Sequence, residues 1–175
     1  MSLPPRWRKA ALVAHIMASV GWFGAVVTFL VLAVVGLASQ DDDVTRSAVL
    51  IMEPVGWFAL VPLNVTSLMT GLFSALTTPW GLLRHYWVLA KLLINVIATV
   101  VLLLYMQTLG YLAGVAGSDP VDVVRLRDPS PLLHTSAAIV LLVLAMILAV
   151  YKPRGTTPYG QRQVGAGRIG YDRAS

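Results

Sequence analysis

The chain has 175 residues, 57% of them hydrophobic and 12% charged, with a net charge of +5 and no cysteine; its mean hydropathy is +0.76. A soluble domain carries about 25% charged and about 45–50% apolar residues, so an ordinary soluble globular protein is excluded. Without cysteine, disulfides, thiolate catalysis, zinc ribbons and iron–sulfur ligation are excluded too.

Four apolar stretches follow one another, at about 10–37, 49–76, 86–113 and 132–151. Each holds at least the ~20 residues that cross ~30 Å of hydrocarbon at 1.5 Å per residue. The first is longer than the ~7–15 residues of a signal-peptide core and ends without an Ala-x-Ala-like site, so it reads as a retained span. Pro54 and Pro62 lie inside the second, where each removes a backbone donor, so that stretch is expected to form one bent helix. Runs such as Ile139–Val150 are apolar all round and exclude the alternation of barrel strands. The fold class is therefore all-α, a polytopic bundle of four transmembrane helices. The loop from Gly117 to Pro131 interleaves Asp and Arg with Val and Leu, a pattern suited to a short interfacial helix. The basic tail at 153–175 has no apolar periodicity and reads as disordered.

Orientation follows from the basic residues. Arg6, Arg8, Lys9, Arg84, Lys152 and Arg154 flank one side, while Arg46, Arg125 and Arg127 sit among aspartates on the other. The positive-inside rule then places both termini in the cytoplasm of a bacterium, in its inner membrane. The pI of about 9.9 is accounted for by topology and anionic lipid, so the expected partner is the lipid bilayer and no nucleic acid is implied. A homo-oligomer or a membrane-protein partner remains open.

Ionisable groups inside spans are costly and usually have a reason. His15 and Lys91 each enter from the cytoplasmic side by about five residues, roughly 8 Å deep at 1.5 Å per residue. Glu53 and His134 lie near the outer surface. Two level pairs are thus expected, His15 with Lys91 and Glu53 with His134. His15, Ser19 and Trp22 share a stripe at i, i+4 and i+7, and Lys91, Asn95 and Thr99 recur at i, i+4 and i+8. Asn64, Thr66, Ser67 and Thr70 add polar groups to the second span. Each of these has a structural alternative: Lys91 snorkelling to the interface, His15 bonding a neighbouring helix, and the Asn and Thr side chains gluing helices together.

A haem between helices needs axial ligands at one depth. His15 with Lys91 meets that condition, His15 with His85 meets it only if His85 tucks inward, and His15 with His134 does not. Metal binding centres on His15, because the methionines show no clustered spacing. A zinc-protease motif, a Walker loop and a dinucleotide fingerprint are absent.

The first-helix run from His15 through Trp22-Phe23-Gly24 and the third-helix Trp87-Val-Leu-Ala-Lys91 resemble a group of small four-span bacterial membrane proteins. That group includes HemJ-type protoporphyrinogen oxidases, CopD-like copper-resistance domains and a family of integral membrane proteins of unknown function, which the chain resembles most. The resemblance implies haem b held by His15, with Trp22, Phe23, Trp87 and Lys91 as the other matching positions; the helix faces add Ser19 and Asn95 to a cytoplasmic-side pocket. The late third helix holds Leu104-Tyr105-Met106-Gln107 where HemJ-type proteins carry Tyr-His. Haem binding or redox chemistry, a cofactor-free scaffold or accessory subunit, and small-solute or metal transport are the functions left open.

Overall fold

The computed structural model describes residues 4–77, 82–153 and 155–161. In chain order these form α1 (Pro5–Ala38), α2 (Asp42–Val55), a π-helical turn (Gly56–Leu60), α3 (Val61–Thr77), α4 (Tyr86–Gly117), the short α5 (Val123–Leu126) and α6 (Ser130–Tyr151). No strand occurs among the described residues. Four helical paths, with α2, the π turn and α3 counted as one, are long and apolar enough to cross a membrane. The fold is an all-α four-helix bundle, and the protein is a multi-pass membrane protein in contact with lipid.

The second span is a single helical path, Asp42–Thr77, as expected of its prolines, with a π turn between α2 and α3. Pro54 lies inside α2 and has no amide to offer the preceding turn. The ladder then widens by one residue, and the Val61 amide reaches back to the Gly56 carbonyl. A π turn of this kind is a usual way to absorb a mismatch within a helix. It also brings the backbone close to α4: a Cβ added at Gly56 would lie 2.7 Å from Met106 Sδ. A side chain at this position would require the end of Met106 to move.

At the acidic end of the bundle Asp41 caps α2, its carboxylate accepting from the Asp43 amide at 2.9 Å, and Asp42 and Asp43 occupy the first turn. Negative charge at a helix N-terminus suits the macrodipole. The three arginines of this end are all engaged. Arg46 Nε donates to the Ala116 carbonyl at the end of α4, at 2.7 Å. Arg127 donates to the Ser39 carbonyl at 2.6 Å and to Asp42 at 3.1 Å. Arg125 pairs with Asp122 at 2.9 Å and donates to the Tyr111 hydroxyl at 2.6 Å. The interfacial helix expected in this loop is α5.

α1 packs on the second span and on α6, and α4 packs on the same two neighbours. α1 and α4 therefore stand diagonally across the bundle. The core lies in the acidic half, where Trp22, Phe29, Met52, Leu60, Tyr105, Met106 and Leu109 meet.

The tail departs from the disordered reading at its start. The Thr157 amide donates to the Arg84 carbonyl at 3.0 Å, and its hydroxyl donates to the Leu83 carbonyl at 2.5 Å. Gly160 lies so close that a Cβ would come within 2.7 Å of the Arg84 carbonyl oxygen. These bonds satisfy carbonyls of the loop between α3 and α4, a contact without any hydrophobic pattern to announce it. The rest of the predicted tail, 162–175, lies outside the described residues.

Replacing Arg46 with Met keeps the aliphatic stem and removes the donor from the Ala116 carbonyl, whose residue is 0% exposed. Leaving a buried acceptor unpaired costs about 1–3 kcal/mol. R46M should therefore lower the unfolding temperature of the detergent-solubilised protein, with R46K recovering part of the loss.

Candidate functional site

α3 is the polar hub of the bundle. Asn64, Ser67 and Gly71 fall at i, i+3 and i+7, one helix face, with Asn64 0% and Ser67 2% exposed. Toward α1, the Ser67 hydroxyl meets the Ser19 hydroxyl at 2.8 Å. One turn further, the His15 Nδ1 lies 3.1 Å from the Ser67 carbonyl and 3.3 Å from the Thr70 hydroxyl. A carbonyl only accepts, so Nδ1 carries the proton and the neutral ring keeps its lone pair on Nε2. The Thr70 hydroxyl donates to the Thr66 carbonyl at 2.6 Å, which leaves its oxygen to accept from Nδ1.

Gly71 makes room for the ring. A Cβ there would stand 2.9 Å from His15 Cε1 and 3.3 Å from Nδ1, closer than packed atoms tolerate. Toward α4, the Thr99 hydroxyl donates to Asn64 Oδ1 at 2.7 Å, and the Asn95 carbonyl lies 2.8 Å from the Thr99 hydroxyl oxygen. Asn64 Nδ2 and Asn95 Oδ1 are buried without a hydrogen-bond partner among the described residues.

Lys91 lies on α4, the helix diagonal to α1. Its Nζ sits 5.4 Å from the centroid of the Trp87 ring, one turn back on its own helix. Such a cation–π contact is worth about 0.5–2 kcal/mol. The ammonium of Lys91 is thus engaged by Trp87. At the same end, Arg8, Lys9, Ser74 and Thr77 line a cavity of about 330 Å³. It concentrates cationic and hydroxyl groups at the membrane boundary.

Two expectations are corrected. Glu53 and His134 do not pair. His134 Nδ1 donates to the Ser130 carbonyl at 2.8 Å within its own helix, and its ring stacks on Tyr105 with centroids 4.1 Å apart. α2 packs on α1, α4 and α5 rather than α6, so equal depth does not bring Glu53 to His134. Trp22 does not join His15 either. Seven residues advance it roughly 10 Å along α1 at 1.5 Å per residue, and it is buried with Met52, Tyr105 and Leu109.

Reading residues one at a time missed Gly71 and Tyr105. The i, i+3, i+7 spacing of Asn64, Ser67 and Gly71 was a signal for the first; the partnership of Tyr105 with His134 left none. Among the described residues, no group of three or more His, Cys, Asp or Glu side chains gathers to hold a metal ion. Comparison with family models, curated proteins and solved structures finds no match.

The Asn64–Thr99 bond can be measured by a double-mutant cycle with Asn64→Leu and Thr99→Val. Interhelical hydrogen bonds in membranes are worth about 0.6 kcal/mol on average and about 1.7 at most. A coupling of that size between the two variants, read from reversible unfolding in detergent, is expected; additivity would show that the bond contributes nothing.

Proposed function

We propose that the chain is a protein of the bacterial cytoplasmic membrane, with both ends in the cytoplasm, that binds b-type haem through His15. The observation that carries this reading is the hydrogen bond from His15 Nδ1 to the Ser67 carbonyl. Metal-ligating histidines almost always donate their second ring N–H to a carbonyl, a carboxylate or water, which fixes tautomer and ring orientation. Here that bond leaves Nε2 with its lone pair and without a partner among the described residues.

The donor set fits one axial ligand. It does not fit Lys91 as a second, because that ammonium is engaged by Trp87. Lys91 and the unpaired Asn95 Oδ1 are polar groups that α4 contributes to this half of the bundle. Bound haem would supply one-electron chemistry. The likeness of the His15 and Lys91 motifs to HemJ-type proteins supports the reading, and the bias of Arg and Lys to one end supports the orientation.

A second reading is favoured by the fit of the His15 ring against Gly71 and by the Ser19–Ser67 bond. These contacts are also what a cofactor-free scaffold or accessory subunit needs to lock α1 on α3. Its partner would be a second copy or another membrane protein. Transport has no comparable support, since Glu53 and His134 do not act together.

Absorption spectra of the purified protein, oxidised and dithionite-reduced, separate the two readings. Haem binding predicts a Soret band with reduced α and β bands that His15→Ala abolishes and Lys91→Met retains. A featureless spectrum after expression with haem supplied would leave the packing reading. In that case His15→Ala would lower the unfolding temperature and change no chromophore.

A further inference from the structure

One turn beyond His15, the seam between α1 and α3 opens into the cavity of about 330 Å³ at the cationic end. The first two turns of α1 supply Pro5, Arg8, Lys9 and Leu12 to its wall, and the last turn of α3 supplies Ser74 and Thr77. A volume at the lower end of the about 300–1,000 Å³ of ligand sites suits a head group, not a whole lipid.

Two cations on consecutive residues call for a counter-charge, and the described part of the chain does not provide it. Its carboxylates run from Asp41 to Asp128 and all belong to the acidic end. Both ion pairs, Arg125 with Asp122 and Arg127 with Asp42, are made there. No described residue bonds the guanidinium of Arg8 or the ammonium of Lys9. Their depth says which anion meets them. Trp7, next to Arg8, is 66% exposed, and tryptophan gathers at head-group level, where the abundant anion is lipid phosphate. A guanidinium takes a phosphate through two parallel bonds, and an ammonium adds a point charge.

The surface below the cavity suits the rest of such a molecule. One turn toward the midplane, Ile16 of α1 and Met69 and Phe73 of α3 are all exposed. Acyl chains can run along them while the head group stays between Arg8 and Ser74. The cations also discriminate among lipids. A zwitterionic head group would bring its own ammonium against Arg8 and Lys9, and like charges placed together are disfavoured.

We propose that this cavity is a defined site for one anionic glycerophospholipid, its phosphate held by Arg8 and Lys9 and its acyl chains lying along Ile16 and Phe73. The site uses neither His15 nor any haem.

The test is lipid titration of the full chain in detergent, read by native mass spectrometry. The probes are phosphatidylglycerol, phosphatidylethanolamine with the same acyl chains, and glycerol 3-phosphate, which has the phosphate without the chains. Wild type should take up one phosphatidylglycerol about 25-fold more tightly than phosphatidylethanolamine, roughly fivefold for each cation. Arg8→Gln and Lys9→Gln should each lose about fivefold. Arg6→Gln, which removes an equal charge outside the cavity, should leave the affinity unchanged. Ser74→Leu fills the cavity and should abolish the preference, and the comparison of Arg8 with Arg6 decides the matter even where that variant does not fold. Equal affinity for the two lipids would overturn the proposal. So would equal losses in the Arg6 and Arg8 variants, the mark of diffuse surface charge. Binding of glycerol 3-phosphate as tight as that of phosphatidylglycerol would replace the lipid with a soluble phosphate ligand.

Discussion

The structure depends on the contact between α1 and α3. Hydrocarbon offers no water, so every polar group in a span must be satisfied by protein, and lipid supplies no hydrophobic force to press helices together. Close approach of small residues and hydrogen bonds across the helices must do it instead. Here Leu63 packs within 3.2 Å of where a Gly21 Cβ would stand, Ser19 bonds Ser67, and His15 fits against Gly71. These contacts recur about every turn along one seam. They hold the first and second spans in register, and α4 and α6 are built around them.

The break in the second span follows from the same economy. An interior proline leaves a carbonyl without its donor, and in a membrane that loss must be absorbed locally. The π turn absorbs it and lets Gly56 bring the backbone onto Met106. α2 serves α1, α4 and α5 at the acidic end, while α3 presents Asn64, Ser67 and Gly71 to α1 and α4 in the other half. One proline thus separates a span into a structural half and a polar half.

The spans, the single path of the second one and the helix in the loop were legible because each depends on quantities a sequence states directly: run length, proline position and local alternation. Depth along the membrane axis was legible in the same way. Depth gives only the axial coordinate. Which helices are neighbours is decided by packing, and for that reason Glu53 and His134, level on the membrane axis, have no contact. Trp22 shows a related error: a shared stripe fixes direction around the helix, but roughly two turns separate it from His15 along the axis. The bonds of Thr157 to the loop carbonyls escaped notice because they are made by backbone and one hydroxyl, which leave no pattern of hydrophobicity or charge.

The two histidines are held by different restraints. His134 is tied to a carbonyl of its own helix, so its free nitrogen is set by local geometry and survives small shifts of the bundle. His15 is tied to a carbonyl of a neighbouring helix, so its orientation exists only while α1 and α3 stay in register. Its bond is at once part of the packing and the device that exposes Nε2. A change in the seam, such as a side chain at Gly71, therefore acts on stability and on the presentation of Nε2 together. Removing the imidazole alone separates them, since the serine bond and the small residues of the seam remain. A group bound at Nε2 would in turn stabilise the α1–α3 register, because any ligand that binds only the folded arrangement adds its binding free energy to that arrangement.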